Sequence, residues 1–95
     1  MTRDELEHHF ASRARRVGGL LLLAPDTALE FVQRAREARI RVLGIEGFRA
    51  AGGRIEPLLD EIADWSTHSD GWQPSIDFLT DRRSIEILFE ITLDG

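Results

Sequence analysis

The sequence predicts a small single-domain α/β fold spanning residues 1–95: a three- to four-stranded mixed sheet with helices packed mainly on one face. Three observations carry this expectation. The run Leu20-Leu21-Leu22-Leu23-Ala24 is apolar throughout and of strand length, so both its faces need cover. Segments of helical period lie on either side of it. The last segment alternates apolar and polar residues with the period of a half-buried strand. The chain has 95 residues, which suits one domain, and 42% of them are hydrophobic, enough for one core.

The elements follow in order. Residues 3–17 read as an amphipathic helix, with Leu6, Phe10, Ala14 and Val17 on one face. Thr2 and Glu5 fit a capping box at its start. Gly18-Gly19 is expected to stop it, because glycine accepts the left-handed conformation that ends helices. The strand 20–24 comes next. Pro25 and Asp26 open a second helix over about 25–38, proline needing no N–H there and aspartate complementing the helix dipole. Its buried face is Ala28, Phe31, Val32, Ala35 and Ala38. Residues 40–45 form a second strand, with β-branched Ile40, Val42 and Ile45. Strand, helix and strand at this spacing suit a crossover between parallel strands. Ala51-Gly52-Gly53 is a turn signal, so Phe48 and Ile55 either pair across a short hairpin or sit in a loop. Pro57 is expected to start a third helix with Leu58, Leu59, Ile62 and Trp65 inward. Residues 66–71 read as a loop and 74–81 as a short helix. In the final strand Ile85, Ile87, Phe89, Ile91 and Leu93 alternate with Glu86, Leu88, Glu90, Thr92 and Asp94.

Composition excludes several functions. The chain holds no cysteine, so disulfides, thiolate catalysis and cysteine metal sites are ruled out. No apolar run approaches the roughly 20 residues of a membrane helix, and the N-terminus lacks a signal-like apolar segment. A cytoplasmic location without membrane association is therefore expected. No Gly-x-Ser-x-Gly elbow is present, and Ser12, Ser66, Ser69, Ser75 and Ser84 lie in no recognisable nucleophile motif. Gly18-Gly19 precedes a strand, the wrong order for a phosphate cradle. Asp60, Asp64 and His68 are spaced by four, but the expected helix frays near Ser66, and a solvated helix end accounts for them better than a metal. No enzyme activity, cofactor or metal is expected.

Charge points to binding. All 12 basic residues are arginine, and the net charge is −5. Residues 1–48 carry a balance of +1 and residues 49–95 one of −6. Between Ile55 and Asp81 lie Glu56, Asp60, Glu61, Asp64, Asp70, Asp77 and Asp81, with no basic residue. Such a surface repels nucleic acid and attracts basic proteins. Trp65 and Trp72 fall inside this window. An indole ringed by carboxylates has the composition of a protein-binding hot spot. The partner-binding candidates are Glu56, Asp60, Glu61, Asp64, Trp65, Asp70 and Trp72.

Arg41-Val42-Leu43-Gly44-Ile45-Glu46-Gly47-Phe48 follows an amphipathic helix. A glycine turn, Pro57, Asp64-Trp65-Ser66, Ile76-Asp77-Phe78-Leu79 and an acidic, apolar last strand come after it. In layout and short fragments this order, over most of residues 20–93, resembles small bacterial polymorphic-toxin immunity proteins. The resemblance implies a single α/β domain that neutralises one cognate protein toxin by covering it, without cofactor or catalytic residue. The arginine content exceeds what a simple acidic decoy needs. The alternative expectation is a small regulatory or scaffold domain acting as a homodimer, through a sheet edge or a face containing Leu88.

Overall fold

A computed structural model describes residues 1–83 and 86–95; Ser84 and Ile85, the latter expected to begin the last strand, lie outside the described residues. The element order is α1 (Arg3–Phe10), a 3-10 turn (Ala11–Arg13), β1 (Arg15–Val17), β2 (Leu20–Leu22), α2 (Pro25–Glu37), β3 (Val42–Ala51), β4 (Arg54–Asp64), α3 (Trp72–Thr80) and β5 (Leu88–Leu93). The architecture is the expected small α/β one, but the strands, expected in one mixed sheet, form two sheets whose pairings among the described residues are antiparallel.

The capping box forms as the sequence requires. The Thr2 hydroxyl accepts from the Glu5 N–H at 3.2 Å, and the Glu5 carboxylate accepts from the Thr2 N–H at 3.0 Å. Leu6 and Phe10 are fully buried. The helix then stops at Phe10, well short of residue 17. Arg15-Arg16-Val17 instead pair antiparallel with Leu22-Leu21-Leu20, and Gly18-Gly19 make the connecting turn, with Gly18 at φ 60°. The glycines therefore turn a hairpin. The physical reason is that the leucine strand leaves backbone groups to satisfy, and the nearest extended segment supplies them.

In α2 the expected face is buried at Ala28, Phe31, Val32 and Ala35, while Ala38, also expected there, is the C-cap and only half-buried. Its end is a Schellman motif. The Ile40 N–H bonds the Ala35 carbonyl at 2.8 Å and the Arg39 N–H bonds Arg36 at 3.0 Å, with Arg39 itself at φ 58°. Phe10 packs edge-to-face on Phe31 at 5.2 Å, and Phe78 on Phe89 at 6.0 Å, joining α1, α2, α3 and β5 in one core.

The larger sheet has the order β4-β3-β5. Among the described residues one antiparallel bridge, Leu23 to Phe89, ties the β1-β2 hairpin to it through N–H···O bonds of 2.8 and 2.7 Å. Since each neighbouring pair is antiparallel, β2 and β3 run in the same direction, as the crossover expectation requires. They are not adjacent: β5 lies between them. The pair β4 and β5 is related in the same way around β3, with α3 as the connection. In β5, Phe89, Ile91 and Leu93 point into the core, while Glu90 and Thr92 lie on the opposite face.

The segment from Pro57 corrects the expectation. It is strand, not helix, and belongs to a long hairpin with β3. The turn residues are Gly52 (φ 58°) and Gly53 (φ 76°), and positive φ at both positions is what a tight type I′ connection needs. The helix expected over 74–81 is α3, which begins at Trp72, two residues before Pro74. Among the described residues no helix is long and apolar enough to cross a membrane.

Candidate protein-binding surface

Strand β4 is an edge strand: among the described residues its only strand partner is β3. Its pairing is interrupted: Glu46 faces Ile62 and Phe48 faces Pro57, so Leu58–Glu61 lie opposite the single residue Gly47. Gly47 is required there. A Cβ on it would stand 2.7 Å from the Cβ of Glu61. The extra residues bulge outward and leave Leu59 82% exposed; Ile62, where pairing resumes, is 45% exposed. Isolated exposed leucines are ordinary, but two large aliphatic groups beside a bulge on an open edge are not.

The structure sorts the seven sequence-predicted residues into two groups. Glu56, Asp60 and Asp64 are exposed along β4. Glu56 faces Arg49 across the ladder. The Ser66 side chain first, and then the Ser66 N–H that Asp64 accepts from at 2.8 Å, hold the Asp64 carboxyl below the usual range. The other four are half-buried and engaged in the scaffold. Glu61 pairs with Arg82, whose guanidinium also bonds the Phe78 carbonyl at 2.9 Å and lies 3.7 Å over the Phe78 ring. That clamp ties β4 to the end of α3. Asp70 accepts from the Trp72 N–H at 3.0 Å, fixing the start of α3. Trp72 packs on the core, and its indole N–H donates to the Ile40 carbonyl at 2.8 Å. Trp65 packs there too, its buried indole N–H without a partner among the described residues. His68 is likewise part of the loop framework, its Nδ1 accepting from the Gly71 N–H at 3.0 Å. Among the described residues no group of metal-ligating side chains is assembled.

Sequence reasoning missed Leu59, Ile62, Glu46 and Glu90. The first two were expected inward on a helix. The usable signal was Gly52-Gly53 between two apolar segments, which favours a hairpin. Register places Glu46 directly opposite Glu90 and Ile62, and Gly44 directly opposite Asp64 and Thr92. Alternation along β3 and β5 puts these residues on the side opposite Ile45, Phe89 and Ile91, with Glu90 at the margin next to Glu7 of α1. Burial pushes the Glu90 carboxyl up from its ordinary range, and the charges of Glu46 and Glu7 push it further. Leu22 and Phe48 are buried yet stand outside the main core cluster.

Fold and surface together define a class: a small α/β domain with an open, acidic sheet edge carrying exposed aliphatic groups. No protein-family model matches the chain, and no curated protein matches it.

Proposed function

We propose that this chain is an immunity-type protein, which binds one basic protein toxin in the cytoplasm and blocks it. The observation that carries the reading is the exposure of Leu59 and Ile62 on edge strand β4 beside Glu56, Asp60 and Asp64. An apolar centre within a charged rim is the anatomy of a specific interface. The acidic rim speeds encounter with a basic partner, and the aliphatic groups slow dissociation. Trp65 and Trp72 serve this surface indirectly, by fixing the loop that follows β4. The same acidity disfavours nucleic acid as the partner.

Affinity capture from the native organism, with wild type and with the Leu59→Asp/Ile62→Asp double variant, tests the reading. Wild type should retain a basic protein, the variant should lose it, and retention should fall with rising salt. Expressing the captured protein alone should arrest growth, and co-expressing this chain should restore it. Capture that ignores both the substitutions and salt, or a captured protein without toxicity, contradicts the reading.

A second reading, a homodimer paired through β4, draws on the same free edge. It predicts a mass of twice the monomer by light scattering in the absence of any partner.

A further inference from the structure

The open face of the larger sheet has a depression of ≈340 Å³, shaped by Gly44, Glu46, Ile62, Asp64 and Thr92, with Leu43 at its side. Gly44 is its floor. It pairs with Asp64 on one flank and Thr92 on the other, and its missing side chain opens the space between theirs. Only glycine fits: a Cβ would stand 2.9 Å from the Ala63 carbonyl oxygen. The bulge between Val42 and Gly44 brings Leu43 to the rim. Asp64 and Glu46 stand diagonally across the ladder, about 7–8 Å apart at the backbone. Aliphatic walls from Ile62 and Leu43 lead towards the two carboxylates, and none of the residues shaping the depression is basic. Arg41 reaches the border of the depression at Ser66, which also lines it, but its guanidinium is held there by the carbonyls of Ser66 and His68 and the carboxylate of Asp94.

We propose that this depression receives an arginine side chain of the protein partner. The inference rests on the protein-binding reading above and names the group that reading would place on this face. The three-carbon stem of arginine suits the Ile62 and Leu43 walls. Its planar guanidinium presents N–H donors in several directions and so reaches two carboxylates at once, which a lysine ammonium does less well. Charge complementarity selects the occupant: Glu46 already faces Glu90 across the ladder, a like-charge pairing that a bound cation relieves.

The test is an NMR titration of the ¹⁵N-labelled chain at low ionic strength with N-acetyl-argininamide. The neutral isostere N-acetyl-citrullinamide is run in parallel. Arginine should shift the amides of Gly44, Glu46, Ile62 and Thr92 in a saturable way, and citrulline should not. Glu46→Gln and Asp64→Asn, each verified as folded by its unchanged remaining spectrum, should each weaken the arginine response about fivefold. Equal shifts from citrulline, non-saturating shifts across every acidic residue, or concentration-dependent shifts at Gly44 without any probe would overturn the proposal, the last because a second copy of the chain would fill the space. The two readings fail separately. If arginine titrates at Gly44 but no toxin is captured, the depression stands and the toxin reading falls. If a toxin is captured through Leu59 and Ile62 while arginine leaves Gly44 unmoved, the depression falls and the toxin reading stands.

Discussion

Trp65 and Trp72 flank the same loop and pack on the same core, yet only Trp72 places its indole N–H on an acceptor, the Ile40 carbonyl. Trp65 holds a buried N–H without a partner among the described residues. Phenylalanine removes the donor in either case. Trp72→Phe breaks a bond and strands a carbonyl, whereas Trp65→Phe relieves an unsatisfied group. Chemical denaturation should therefore find Trp72→Phe the more destabilising by about 1 kcal/mol. Glu90 gives a prediction with a definite sign. Its carboxyl titrates above the ordinary range because burial, Glu46 and Glu7 all disfavour its charge. A carboxyl raised on folding binds its proton more tightly in the native state. Its contribution is complete below the unfolded value and is lost as pH rises through the folded one. Glu90→Gln should thus raise stability at pH 7 by about 0.5–1 kcal/mol, with the gain vanishing towards pH 4. Denaturation midpoints measured across that range check both the sign and the window. Asp64 behaves oppositely: its lowered carboxyl, accepting from Ser66, supports the fold above the ordinary range and loses that support as pH falls.

At the scale of elements, α2 ends on an arginine in the left-handed region, where glycine is the usual residue. Arg39→Gly should raise stability by about 0.5–1 kcal/mol, the relief of left-handed strain outweighing the greater unfolded freedom of glycine. Thermal unfolding measures it. The elements legible in the sequence were those whose signals are local. Thr2 and Glu5 announced the start of α1, the spacing of Ala28, Phe31, Val32 and Ala35 gave the buried face of α2, and the alternation of Ile87 to Leu93 gave β5. What was not legible depended on tertiary partners. Leu58, Ile62 and Trp65 sit at helical spacing by accident of a bulge: the four residues opposite Gly47 shift the period of β4 and imitate a helix. Gly18-Gly19 fit a helix stop as well as a hairpin turn, and only the pairing of Val17 with Leu20 decides between them. The candidate site inherited these errors. Its charges at Glu56, Asp60 and Asp64 are exposed as expected, because carboxylates stay solvated in either conformation. Its apolar members changed identity because strand geometry turns out what helix geometry would have turned in.

Taken as a whole, the molecule is elongated, 37 × 25 × 20 Å, with a hairpin that continues past the last residue paired to β5. One side of the larger sheet holds the core residues Ile45, Phe89 and Ile91, and the other carries Glu46, Asp64 and Ile62, with Glu90 at its margin beside Glu7 of α1. A net charge of −5 on this frame makes association with a basic partner fast at low salt and slower as salt rises. Leu59→Asp should leave the unfolding midpoint nearly unchanged, since an 82% exposed side chain adds little to the core, while weakening partner binding by tenfold or more. The most direct measurement is a hydrogen-exchange footprint of the chain bound to its captured partner. The account predicts added protection at the backbone of 55–64 and 43–46, with α1 and α2 unchanged. Protection confined to the helices, with β4 exchanging as in the free chain, would contradict it.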